Sequence, residues 1–158
     1  MFGLFKSKKQ VVVSPACGDV VELSDVPDEV FSQKLAGEGI AIVPRSNTFV
    51  APMTGVVNKI FSTNHAFSIR ANSGVEVLVH IGLDTVELKG EGFKRMVQEG
   101  DKVTVGKPII IADLEFIETQ CKSIITPIVL NYEKELTLEI DSVRTIREGE
   151  KLIDVTIG

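Results

Sequence analysis

The chain is 158 residues long, 44% apolar and 25% charged, the composition of a soluble globular protein long enough to bury a real core. Its net charge of −5 argues against a nucleic-acid binder and would suit a basic protein partner, and no apolar run approaches the ~20 residues of a membrane helix. Cys17 and Cys121 stand far apart with no CxxC spacing, which argues against a disulfide framework or zinc ribbon and fits reduced thiols in the cytoplasm.

In chain order, Phe2, Leu4 and Phe5 with Lys6, Lys8 and Lys9 make at best an amphipathic stub without a secretory apolar region. Residues 1–10 are therefore expected to be a disordered tail, and 11–158 a single domain. Runs of β-branched or alternating residues predict strands at Val11–Val13, Gly18–Leu23, Gly39–Val43, Thr48–Ala51, Gly55–Phe61, Ala66–Arg70, Val75–Ile81, Pro108–Ala112 and Leu136–Ile140. Helical signals are few: Asp28–Leu35, Gly92–Gln98, and Leu114–Lys122 behind Asp113 as a plausible N-cap. The pattern favours an all-β sandwich or barrel with a few short helices over βαβ units. Phe49–Val57 and Val103–Ile110 share a rhythm of strand, turn and strand, a weak signal of internal repetition.

The chain has two histidines, and hairpin geometry can bring them together. Ala71-Asn72-Ser73-Gly74 is a good turn sequence between two strand-like runs. An even-length loop centred between Asn72 and Ser73 sets Arg70 opposite Val75, Phe67 opposite Leu78 and His65 opposite His80. Their Cβ atoms would then lie ~4.5–5.5 Å apart on one face. An odd-length loop would shift the register and break this argument. Either histidine alone is more often a packed or surface residue than a reactive one. Two together suit phosphoryl transfer: a neutral imidazole is a competent nucleophile near neutral pH, and a second can donate a hydrogen bond to phosphoryl oxygens. Thr63, two residues before His65, is the nearest hydroxyl able to set that second ring's tautomer.

The segment Gly74-Val75-Glu76-Val77-Leu78-Val79-His80-Ile81-Gly82-Leu83-Asp84-Thr85-Val86, with Glu87-Leu88-Lys89-Gly90-Glu91-Gly92-Phe93 after it, resembles the phosphorylation-site signature of the glucose-type enzyme IIA proteins. These belong to the phosphoenolpyruvate-dependent sugar phosphotransferase system. Thr63-Asn64-His65-Ala66, Asp25-Val26-Pro27-Asp28 with Val30-Phe31, and Gly37–Pro44 match in the same order, so the resemblance runs from about Pro15 to the C-terminus.

The resemblance implies a flattened antiparallel β-sandwich of duplicated-hybrid-motif type. It implies His80 as the phosphorylated histidine, on Nε2, with His65 as its support and Thr63 as that ring's partner. The group would come from phospho-HPr and pass to a cysteine of a transporter IIB domain. Asp28 and Asp84 would be acidic docking contacts, and Val30, Phe31, Phe61, Leu78 and Val86 the apolar floor or rim. The bland reading makes the aspartates turn residues and the apolar side chains core. No cofactor is required, although the unphosphorylated pair His65 and His80 could hold zinc jointly with a partner's carboxylate. A free-standing cytoplasmic monomer working in trans is expected, with regulated permeases or kinases as further partners.

Three rival readings draw on the same residues. A zinc metallopeptidase would need a third ligand, and with no HExxH or HxH only Asp28 or Asp84 remains. An adaptor switched by added negative charge would use the same face. A lipoyl- or biotin-carrying domain lacks its Met-Lys-Met turn.

Overall fold

The computed structural model describes residues 8–140 and 145–158. The strands are β1 (Lys8–Val13), β2 (Gly18–Val21), β3 (Glu38–Pro44), β4 (Thr48–Val50), β5 (Gly55–Ile60), β6 (Ala66–Arg70) and β7 (Glu76–His80). They continue as β8 (Phe93–Arg95), β9 (Lys102–Val103), β10 (Pro108–Ala112), β11 (Thr126–Asn131), β12 (Leu136–Ile140), β13 (Thr145–Ile146) and β14 (Lys151–Ile157). The helices are α1 (Glu29–Ser32) and α2 (Leu114–Gln120).

Every strand pairing is antiparallel, in sheets ordered β13-β2-β3-β11-β7-β6-β5-β9, β1-β14-β12 and β4-β10-β8. The fold is the expected all-β sandwich. One apolar cluster takes Val12, Leu152 and Ile153 from the first small sheet and Phe49 and Ile110 from the second. The large sheet adds Ile69, Val77 and Val79. Each such side chain, fully buried, contributes roughly 1.5–3 kcal/mol relative to exposure. The two stretches of shared rhythm lie against each other: β4 pairs β10 and β5 pairs β9, and Ala51 N–H donates to the Lys107 carbonyl at 2.8 Å.

What positions the site is a second, smaller cluster on the other face of the large sheet. Leu23, Val26 and Phe31 pack there on Ala41 of β3 and Val129 of β11, with Leu78 against them. Asp28 starts α1 by accepting the Val30 N–H at 2.9 Å, so a helix of only four residues is held by its cap and by the buried Phe31. That makes the expected helix over Asp28–Leu35 real but short. Strands β3 and β11 are consequently buried on both faces.

Four features depart from expectation. Gly92–Gln98 is not helical: Gly92 has φ +89, and Phe93–Arg95 pair with β10. Pairing with β10 satisfies the backbone of this segment, so it needs no helical turn. Strand β11 was not foreseen, because burial on both faces removes alternation and Pro127 is disfavoured in central strands. Pro127 is tolerated because pairing to β7 begins one residue later, at Ile128. Strand β14 was also not foreseen, although Ile153, Val155 and Ile157 alternate with Asp154 and Thr156. Of the expected tail, residues 1–7 lie outside the described residues, whereas Lys8–Gln10 pair with Ile157–Val155. The expected helix after Asp113 is α2, with Asp113 accepting the Phe116 N–H at 3.2 Å.

Candidate functional site

The β6–β7 hairpin carries His80 as the last residue of β7, and its register differs from the expected one. The loop is odd, Ala71–Val75, closed by Ala71 N–H to the Val75 carbonyl and Gly74 N–H to the Ala71 carbonyl, each at 2.9 Å. Gly74 at φ +93 supplies the left-handed residue such a loop needs. Arg70 therefore faces Glu76, and His80 faces Ala66 rather than His65. Phe67, Ile69, Val77 and Val79 point into the main core, while Leu78 and His80 are half-buried on the other face.

Regular alternation from Ala66 would send His65 to the face opposite His80. The rings nevertheless stand 5.0 Å apart, centroid to centroid, at 79°. The strand begins only at Ala66, and a turn precedes it: Asn64 is left-handed at φ +62, and its N–H reaches the Phe61 carbonyl at 2.7 Å. The turn thus achieves what the register alone does not. It also sets Thr63 Oγ1 2.5 Å from His65 Nδ1 and Phe61 edge-on to His65 at 5.2 Å.

His80 is held from the other side. Its Nδ1 lies 2.8 Å from the Gly82 carbonyl oxygen. A carbonyl only accepts, so Nδ1 carries the proton and the lone pair resides on Nε2. Phe31 packs against the ring at 5.1 Å, which is how α1 and the second cluster reach the site. Gly82 itself is constrained, with φ +73 and no room for a Cβ against the Thr85 methyl and the Ser123 carbonyl.

Both imidazoles favour the neutral form. Burial, then repulsion from His80, pushes His65 down to about 4. Burial also lowers His80, opposed by the Gly82 carbonyl and the charges of Asp28 and Asp84. Cys121, whose Sγ lies 4.0 Å from the Asp84 carbonyl, is pushed up by burial and by the charges of Asp84 and Glu87, so it stays a thiol.

A shallow depression of about 340 Å³ opens on His80, lined by Asp28, Val30, Phe31, Leu78, Asp84 and Val86 among others. Six of the seven residues expected to dock a partner meet here, and Phe61 stands apart, against His65. Val30 and Val86 are exposed, whereas Phe31 is 6% exposed and is largely core. Asp28 is both helix cap and charge near His80. A larger hollow of about 670 Å³ between β5 and β9 contains neither histidine. Among the described residues no group of three histidine, cysteine, aspartate or glutamate side chains could hold a metal ion. The site brings two imidazoles together, whereas a catalytic zinc ordinarily takes three protein ligands.

Three contributors were not foreseen from sequence: the Gly82 carbonyl, Asn64 and Arg95, whose guanidinium meets the 61–64 turn. Asn64 alone had a local signal, as a residue tolerant of left-handed backbone. Among the described residues, no helix is long and apolar enough to cross a membrane.

Over most of its length the chain is similar to known proteins. The family model of the phosphoenolpyruvate-dependent sugar phosphotransferase system, EIIA 1, matches residues 10–136. The PTS system glucose-specific EIIA component of Buchnera aphidicola is 47% identical over 149 residues, covering 94% of this chain and 92% of that protein. Its counterpart in Haemophilus influenzae is 45% identical over 148 residues, covering 94% and 89%. The solved structure of glucose permease IIA from Mycoplasma capricolum superposes with a TM-score of 0.88 at 39% identity, covering 93% of this chain and 96% of that one. The chain belongs to the EIIA 1 family of the phosphoenolpyruvate-dependent sugar phosphotransferase system, whose members carry phosphoryl groups in sugar uptake.

Proposed function

We propose that this chain accepts a phosphoryl group from phospho-HPr on His80 Nε2 and passes it to a cysteine of a transporter IIB domain. One observation carries the reading: the Gly82 carbonyl holds the proton on His80 Nδ1, leaving the Nε2 lone pair at an open depression. On acceptance, Nε2 attacks phosphorus and the bond from phosphorus to the donor's carrier atom breaks, returning its electron pair to the donor. On delivery, the IIB thiolate attacks, the S–P bond forms, and the N–P pair returns to Nε2. His65, with Thr63 donating to Nδ1, would present Nε2–H to a phosphoryl oxygen as charge builds.

Shallowness suits this chemistry, because both partners are proteins that must reach one nitrogen in turn. Asp28 and Asp84 would steer basic partners, with Val30 and Val86 as the exposed apolar contacts. A phosphoryl group would add charge beside two carboxylates, so partners preferring the free form, such as permeases or kinases, would be released on phosphorylation. The two Nε2 atoms could likewise share a zinc ion with a partner's carboxylate in such a complex. The reading is of one cytoplasmic domain acting as a monomer, with Lys8–Gln10 joined to it by pairing with the last strand.

Intact mass after incubation with phosphoenolpyruvate, enzyme I and HPr tests it. One phosphoryl group, lost in acid and absent in His80→Ala, is the expected result. Labelling that persists in His80→Ala, or none in the unaltered protein, overturns it.

A further inference from the structure

The turn bearing the supporting histidine is fastened from the opposite sheet. Arg95, the last residue of β8, pairs through its backbone with Ile110 of β10 and extends its side chain across to the 61–64 turn. Its Nε donates to Asn64 Oδ1 at 2.7 Å and its Nη2 to the Phe61 carbonyl at 3.4 Å. Among the described residues no carboxylate pairs with this half-buried guanidinium, so its fixed fork is spent on two neutral oxygens of one turn. Those oxygens bracket Thr63: one belongs to the residue opening the turn, the other to left-handed Asn64 between Thr63 and His65.

We infer that Arg95 is a positioning residue for His65: by bridging Asn64 Oδ1 and the Phe61 carbonyl it locks the turn that sets Thr63 Oγ1 on His65 Nδ1. The consequence is chemical. With the Thr63 hydroxyl donating to Nδ1, the proton stays on His65 Nε2, the nitrogen able to meet a phosphoryl group on His80. Without the clamp, the left-handed Asn64 relaxes, Thr63 leaves the ring, and His65 divides between tautomers. His80 is fastened separately, by Gly82, and keeps its own tautomer. This inference rests on the phosphocarrier reading for its effect on rate, but its effect on His65 is independent of that reading.

The test compares imidazole nitrogen resonances and transfer rates in the full chain, unaltered and as Arg95→Gln, Arg95→Lys and Asn64→Gly. Asn64→Gly removes the Oδ1 acceptor yet keeps a residue at ease with positive φ, so it carries the comparison should Arg95→Gln fail to fold. The unaltered protein should show His65 with its proton on Nε2. Arg95→Gln and Asn64→Gly should each show His65 as a mixture with His80 unchanged, and transfer onto His80 slowed by about ten- to a hundredfold. Arg95→Lys, with one donor in place of a fork, should recover part of the rate. A single His65 tautomer retained in Arg95→Gln or Asn64→Gly overturns the inference, as does a proton on His65 Nδ1 in the unaltered protein. Absence of phosphorylation in the unaltered protein overturns the phosphocarrier reading alone, and the His65 resonances still decide whether Arg95 is the clamp.

Discussion

His80 and Gly82 are joined by a 2.8 Å hydrogen bond from the ring's Nδ1 to a backbone oxygen, two residues apart on the same turn. That carbonyl can point at the ring because Gly82 adopts φ +73 and leaves space that Thr85 and Ser123 close. A Gly82→Ala substitution would place a Cβ 2.6 Å from Thr85 Cγ2 and 2.9 Å from the Ser123 oxygen. We expect it to destabilise the fold by more than ~1 kcal/mol and to slow phosphoryl acceptance at least tenfold, roughly, through loss of the fixed tautomer. Urea unfolding and the rate of mass gain, measured together, check both.

His65 is expected to act on the transition state and not as the acceptor. His65→Ala should slow transfer on the order of a hundredfold, the usual cost of losing one donor to developing charge. His65→Gln should lose less, because its amide retains an N–H. In both variants His80 should still be modified when given time. A time course of labelling that matches the unaltered protein in both directions would remove His65 from the mechanism.

Acidity should act on stability through the same ring. His65 has its pKa pushed to about 4 from 6.5, so between these values the unfolded chain binds the extra proton and stability rises with pH. The contribution is complete above about 6.5 and is lost as the pH falls toward 4, amounting to roughly 2 kcal/mol between pH 7 and pH 5. Urea midpoints at the two pH values should therefore separate in the unaltered protein and draw together in His65→Gln.

Transfer itself should lose rate only below the ordinary imidazole range. His80 is lowered by burial, so its Nε2 stays unprotonated through neutrality. A rate of acceptance flat from pH 7 to pH 8 and falling below pH 6.5 is the outcome expected for this chain. A fall beginning above pH 7 would contradict the lowered pKa.

Asp28 allows charge to be separated from structure. Asn caps a helix about as well as Asp, so Asp28→Asn should preserve α1 while removing a carboxylate from the depression. With Asp84→Asn beside it, transfer from HPr should slow and its dependence on salt should flatten, with thermal stability nearly unchanged. Stopped-flow transfer at several salt concentrations, paired with melting curves, distinguishes docking from folding.

Short apolar or β-branched runs bounded by turn residues were legible as strands: Ala66–Arg70, Pro108–Ala112 and Leu136–Ile140 match residue for residue. Strand β11 was not, since it lacks alternation and also carries Pro127, a residue that argues against a central strand. The helix expected over Gly92–Gln98 shows the converse error. Three apolar residues in a short window imitate helical spacing, whereas pairing with β10 satisfies their backbone.

The nearness of the two histidines was expected from an even hairpin, and the hairpin is odd. Loop parity depends on which residue of Ala71–Val75 turns left-handed, a choice made by closure against the whole sheet and invisible in five residues of turn chemistry. By itself, then, the sequence determined an all-β chain, two histidines in a marked segment, and the family whose order of motifs it repeats. Tertiary structure alone decided which faces those histidines share, which nitrogen each leaves free, and that Arg95 reaches the turn from another sheet. The physical reason is direction: periodicity reports only which face a residue takes, whereas a tautomer is set by an oxygen two residues away that points at the ring only when packing has fixed the dihedrals of the turn between them.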